Sequence, residues 1–182
     1  MNKKDLLYIA GGVLLALIGL QPYIMRVFTP EVHKVGGQIG NIIMILTGLI
    51  LMAKAFVKDM IPDIALVGLF GVLAIFSGIS FLQSFIALFR EGYFWIKAIN
   101  VCSNVLMLVA YGGMAAIILL KDSFGGFFFV PAGAVAVKAL LAFVGRFIGM
   151  GAMPMGAYLI IFVFDMVLVG ALLAVGMAVN EN

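Results

Sequence analysis

Two ionisable residues, Lys138 and Asp165, lie inside otherwise apolar stretches, and they have the clearest capacity for chemistry in this sequence. Lys138 lies twelve residues before Met150, and Asp165 lies eleven residues after Pro154. A tight turn at Met150–Pro154 between two helices would place both residues about 16–18 Å from that turn, at about 1.5 Å of rise per residue. Because an unpaired charge in hydrocarbon is costly, we expect the two residues to pair near the middle of a bilayer.

Such a pair has three interpretations, all of which the sequence leaves open. In a transporter, the lysine and the aspartate could exchange partners with a bound cation or proton. In a structural role, the pair would hold two neighbouring helices together. In a complex, one of the two charges would meet a charge on another chain. All three follow from the rule that charged residues within a membrane have a partner or a function.

A second, sparser set of polar residues lies within other apolar stretches. Asn41, Asn104 and Asp165 occupy roughly equivalent positions in alternate stretches, and Gln21 lies in the distal half of the first one. One hypothesis is that Gln21, Asn41 and Asn104 line a path for an ion or small solute. The alternative is that they form hydrogen bonds between helices, which is a common use of polar side chains in membranes.

The elements that must position these residues are membrane-spanning helices. The 182 residues are 65% hydrophobic and only 10% charged, with a mean hydropathy of +1.27, which is typical of an integral membrane protein. Each stretch long enough to cross about 30 Å of hydrocarbon as a helix predicts one span. The six predicted spans of this all-α, polytopic fold run near Leu6–Val27, Gly37–Val57, Ile64–Phe89, Phe94–Leu120, Phe127–Gly149 and Gly156–Val179.

The spans are arranged as one membrane domain, residues 1–182, that resembles a helical hairpin repeated three times. Asp5, Asp63 and Asp122 stand at the start of the odd-numbered spans at intervals of 58 and 59 residues. They define hairpins of about residues 5–59, 63–121 and 122–180. The alternative is that bilayer thickness alone produces this period in a protein with short loops. A true duplication predicts direct repeats around an axis along the membrane normal.

Glycines recur at helical spacing in two of the predicted spans. The first span contains Gly12-Val-Leu followed by Gly19, and the third contains Gly71-Val-Leu followed by Gly78. Small residues let membrane helices approach closely. We therefore expect both glycine faces, which also include Gly11 and Gly68, to pack against neighbouring helices.

Several classes of function find no support in the sequence. No motif of a metalloprotease, a phosphate-binding loop or a serine nucleophile elbow is present, so we expect no enzyme activity. A single cysteine, Cys102, and a single histidine predict no metal site and no cofactor. The net charge of +3 is spread over the ends of the spans and does not indicate nucleic acid as a partner.

The sidedness of the protein rests on few residues, because the basic residues divide evenly between the two ends of the spans. Lys3 and Lys4 at the start favour termini in the cytoplasm, and a bacterial inner membrane is the predicted location. The predicted function is a small transporter or channel-like protein for an ion or small solute. The alternative is a non-catalytic subunit or scaffold of a larger membrane complex. Expected partners are the lipid bilayer and either a homo-oligomer or other membrane subunits.

Overall fold

The computed structural model describes residues 2–28, 38–57, 60–90, 92–147 and 155–181, and these residues contain helices and no strands. The predicted all-α fold class is therefore confirmed over the described residues. The turn predicted at Met150–Pro154 lies outside them, as does the side chain of Asp122. In chain order, the helices are α1 (Lys3–Gly19), α2 (Gln21–Phe28), α3 (Gln38–Phe56), α4 (Asp63–Leu88), α5 (Phe94–Leu119), the short α6 (Lys121–Phe124), a 3₁₀ turn (Gly125–Phe127), α7 (Phe129–Phe147) and α8 (Met155–Asn180).

Within the described residues, four helices are long and apolar enough to cross a membrane, namely α3, α4, α5 and the part of α8 over Tyr158–Asn180. A shorter apolar stretch, Phe129–Gly145, lies in α7, and α1 is 17 residues long. Large apolar side chains cover much of the outer surface, especially on α4. Ile64, Ile75 and Ile86 of that helix are 62%, 63% and 58% exposed and lie on one face, since eleven residues make about three turns. Such a surface indicates contact with lipid.

Helix α1 packs against both α3 and α8. Its contact with α3 is close: a Cβ atom built on Gly12 would lie 2.6 Å from the carbonyl oxygen of Gly48. The contact with α8 is similar, since a Cβ atom on Gly11 would lie 2.7 Å from the Cγ2 atom of Val175. The predicted close packing of glycines in the first span is therefore confirmed.

The remaining long helices pack one against the next around the bundle. Helix α4 packs mainly against α5, α5 also packs against α7, and α7 packs against α8. A smaller contact between α3 and α4 joins the two ends of this series. The core between the helices is apolar, as expected where dispersion contacts hold membrane helices together. Its fully buried side chains include Leu15, Leu51, Phe70, Met114, Val135 and Leu172.

Candidate functional site

The two charged residues that the sequence places within apolar stretches meet at the interface between α7 and α8. Lys138 is the central residue of α7, and Asp165 lies in the first half of α8. The Nζ atom of Lys138 lies 2.5 Å from the Oδ1 atom of Asp165, which is a hydrogen bond as well as an ion pair. The side chains are 22% and 9% exposed, so the aspartate is the more deeply buried partner. Charge-assisted hydrogen bonds of this kind are short and strong.

The second carboxylate oxygen of Asp165 is the unusual feature of this pair. Its Oδ2 atom is buried and accepts no hydrogen bond from any described residue. Asp165 also lines a small cavity of about 10 Å³ beside aromatic residues that include Phe143, Tyr158 and Phe162. A single water needs about 10–15 Å³. The carboxylate therefore has unused capacity as an acceptor next to a space about the size of one water molecule.

Asn104, predicted as a lining residue, lies at the interface between α4 and α5. Its Nδ2 atom donates hydrogen bonds to the Ser84 Oγ atom at 2.7 Å and to the Ser80 carbonyl oxygen at 3.3 Å. Both acceptors belong to α4. The amide therefore joins two helices, which is the alternative interpretation of this residue.

The other two predicted lining residues lie near α1. The backbone carbonyl of Asn41 faces Gly19 at the contact of α1 with α3, where a Cβ atom on the glycine would approach it to 2.7 Å. Gln21 is the first residue of α2 and follows Leu20, where the helix is interrupted just before Pro22. Neither residue, nor Asn104, lines the cavity beside Asp165. The structure thus brings Lys138 and Asp165 together, places Asn41 and Asn104 at other helix contacts and places Gln21 at the start of α2.

A larger polar cavity lies at one end of the bundle, and sequence analysis did not predict it. We call it the lysine cavity. It has a volume of about 280 Å³ and forms where the starts of α1 and α4 meet the ends of α3 and α8. The residues that line it are Asn2, Lys4, Asp5, Tyr8, Lys54, Asp63, Lys121 and Val179.

Two local networks hold the walls of the lysine cavity. The Nζ atom of Lys54 lies 2.9 Å from the Asp63 Oδ1 atom and donates a 2.5 Å hydrogen bond to the Ile61 carbonyl oxygen. Asn2 and Asp5 form a capping box at the start of α1, in which each side chain accepts a hydrogen bond from the backbone of the other. The capping box satisfies backbone N–H groups that a helix start would otherwise leave without partners.

The sequence predicts which charged residues lie at the helix ends that form this cavity. Asp5 and Asp63 mark the starts of odd-numbered predicted spans, and the predicted alternation of the spans places Lys4, Lys54 and Lys121 at one face of the membrane. What the sequence does not state is that α1, α3, α4 and α8 are neighbours at that face. Charges on loops normally point into solvent, so their convergence on one cavity depends on helix packing.

Metal binding finds no support in the described part of the chain, which has no group of three His, Cys, Asp or Glu residues placed to hold an ion. Comparison with known proteins identifies no relative: no family model matches the sequence, and no curated protein or solved structure is similar to it. A functional proposal must therefore come from the geometry of these residues.

Proposed function

We propose that this protein is a small transporter or channel-like protein that moves a proton or a small monovalent cation, with Lys138 and Asp165 as its exchanging pair. The observation that carries the proposal is the buried Asp165 carboxylate, one oxygen of which bonds Lys138 while the other has no partner among the described residues. The adjacent cavity of about 10 Å³ has room for a species about the size of one water molecule, which supports a proton or a small cation as the transported species.

The proposed chemistry is competition for one negative charge. In a medium of low dielectric constant, the attraction between Lys138 and Asp165 is strong, and an added cation at Oδ2 would compete directly with the ammonium group. Charge balance then requires that the Lys138 ammonium gives up one proton to water, which leaves a neutral amine beside the cation held by Asp165. Uptake of a proton from water would restore the ammonium, which would pair with Asp165 again and release the cation. Buried acidic and basic groups are used in this way in proton relays.

The proposal includes six membrane spans in three hairpins. In support, α1 packs on α3, α4 on α5, and α7 on α8, so each proposed hairpin contains helices in mutual contact. Spans of alternating direction also agree with the lysine cavity, where helix starts and helix ends meet. We further propose a bacterial inner membrane with both termini in the cytoplasm, for which Lys3 and Lys4 are the support.

The test uses purified protein in lipid vesicles, with fluxes of H⁺, Na⁺ and K⁺ measured separately. The variants are Lys138→Met, Asp165→Asn and the double variant, and unfolding in mixed detergent reports the stability of each. We expect each single change to abolish the flux in protein that remains folded. Thr47→Val is the matched control, because Thr47 is fully buried and its hydroxyl bonds only the Ile43 carbonyl of its own helix.

The free energy of unfolding distinguishes a Lys138–Asp165 pair that takes part in transport from one that only holds α7 and α8 together. Removal of one partner from a buried pair costs about 3–5 kcal/mol, whereas replacement of both is often neutral. We therefore expect the double variant to recover stability without recovering flux. An absence of flux for all three ions in the parent protein would contradict the transport proposal.

A second candidate function is a non-catalytic subunit or scaffold of a larger membrane complex, and the surface of α4 favours it. Among the described residues, no atom outside the neighbouring backbone of α4 lies within 4 Å of a Cβ atom built on Gly68 or Gly71, so this glycine face has space for a close approach. A subunit is expected to associate with other chains through such a face. Purification in a mild detergent, followed by mass measurement of the intact particle, distinguishes a lone chain from an assembly.

A further inference from the structure

We propose that the lysine cavity binds a phosphate group, carried either by an anionic lipid headgroup or by a soluble phosphate. The cavity lies at an end of the bundle, where helices that cross the bilayer meet the headgroup region. It is separate from the Lys138–Asp165 pair, since none of its lining residues belongs to that pair. The inference is independent of the proposed transport function.

The charges around the cavity favour an anion. Three lysines and two aspartates line it, so its lining carries a formal charge of +1. Asp63 is paired with Lys54, and Asp5 belongs to the capping box with Asn2. Lys4 and Lys121 form no hydrogen bond or ion pair with any residue that the structure describes. Two ammonium groups therefore remain to meet a ligand.

The shape and position of the cavity also fit this ligand. Its volume of about 280 Å³ is close to the lower end of the range of about 300–1,000 Å³ for small-molecule sites. That space suits a headgroup or a small phosphate, and not a large metabolite. The buried Tyr8 and the Asn2 side chain supply further polar groups on the wall. Basic pockets between membrane helices are known sites for phosphate-bearing headgroups.

The experiment is native mass spectrometry of the full chain in detergent. Phosphatidylglycerol, phosphatidylcholine and inorganic phosphate are titrated separately, and the dissociation constant is measured for each. Binding of phosphatidylglycerol alone identifies a lipid headgroup as the ligand. Binding of inorganic phosphate identifies a soluble source. Either result supports a phosphate site, provided that the lysine variants weaken it.

The variants are Lys4→Gln, Lys121→Gln and their combination. Each lysine near a charged headgroup contributes to the free energy of binding. From the size of that contribution we expect about fivefold weaker binding for each single change and about 25-fold weaker binding for both. Lys121→Arg should retain binding, because it keeps the charge. Lys3→Gln is the matched control: Lys3 adjoins Lys4 but is exposed, pairs with Glu181 and does not line the cavity.

Three results would overturn the proposal. The first is that neither phosphatidylglycerol nor inorganic phosphate binds more tightly than phosphatidylcholine. The second is that the Lys4→Gln/Lys121→Gln protein, shown to be folded by its helical circular dichroism, binds as tightly as the parent. The third is that Lys3→Gln weakens binding as much as the double change, which would indicate general surface charge in place of a site.

Discussion

Helices α1 and α4 carry the same glycine pattern and use it in opposite ways. Gly12 of α1 lies against Gly48 of α3, so closely that even a methyl group would collide with backbone. Its counterpart in α4, Gly71, has nothing within 4 Å of a Cβ atom built on it. The motif Gly-Val-Leu followed by Gly therefore permits a close helix contact but does not produce one.

The residues that face each helix explain the difference. Helix α3 presents Gly48 to α1, so two backbones meet without an intervening side chain. Helix α5 presents Leu108 to α4, and a Cβ atom on Gly78 would remain 3.9 Å from the leucine Cδ1 atom. Ala74 of α4 meets Gly112 of α5, since a Cβ atom built on that glycine would lie 3.8 Å from the Ala74 Cβ atom. Close packing thus requires small residues on both helices.

The largest expected effect is that a glycine-to-alanine change alters the free energy of unfolding in opposite directions in α1 and α4. Gly12→Ala should destabilise the protein by about 1–3 kcal/mol, because its Cβ atom would lie 2.6 Å from the Gly48 carbonyl oxygen and α1 must shift away from α3. Gly71→Ala should stabilise it by about 0.5–1 kcal/mol, because alanine is the better helix former. Unfolding in mixed detergent measures both free energies.

Gly48→Ala serves as the second variant for the α1–α3 contact and should destabilise the protein in the same way, since its Cβ atom would approach the backbone of Gly12. Equal stabilities for Gly12→Ala and Gly71→Ala would mean that the two glycine faces are equivalent after all. A loss at Gly71 alone would show that α4 has a close neighbour in the membrane.

A smaller effect is expected at the two helix starts. Helix α1 begins with the capping box of Asn2 and Asp5, whereas α4 begins after Pro62, which forms no side-chain cap. Asn2→Ala should cost about 1 kcal/mol, as the loss of an N-cap usually does. Pro62→Ala is the matched change and removes no hydrogen bond from the helix start, so its cost should be smaller. Equal costs in detergent unfolding would contradict this distinction.

The smallest effect concerns the polar contact between α4 and α5. Asn104→Ala removes the hydrogen bonds to Ser84 and to the Ser80 carbonyl. Polar contacts between membrane helices contribute about 0.6 kcal/mol on average, and we expect a loss of that size with ion flux unchanged. Ser84→Ala should give a similar value, and the double variant should cost little more than either. Loss of flux without loss of stability would instead assign Asn104 to the transport path.

The sequence contained most of what was needed to recognise the helices and to align Lys138 with Asp165. In a membrane protein, an apolar stretch long enough to cross the bilayer predicts a helix. Two charges at nearly the same distance from a predicted turn are expected to lie at one level of the bilayer. Sequence spacing does not state which helix faces which, however. For that reason the glycines of α4 were predicted to pack closely, which is wrong for Gly68 and Gly71, because nothing lies within 4 Å of a Cβ atom at either.

The lysine cavity was missed for the same reason. Asp63 and Lys54 are close along the chain, so an ion pair between them across the α3–α4 connection is compatible with their spacing in the sequence. Lys4 and Lys121 are far apart in sequence, and only the packing of the bundle brings them to one cavity. Local periodicity predicts which residues lie at a helix end, and long-range packing decides which ends meet.

The contact of α1 with α8 has a consequence for biosynthesis. Ribosomes add about 5–20 residues per second, so α1 is in place many seconds before α8 has been translated. During that time α1 can pair with α3 through Gly12 and Gly48, but the face that carries Gly11 has no Val175 to meet. The bundle is therefore completed only when α8 inserts beside α1, which makes this contact the closing step of assembly.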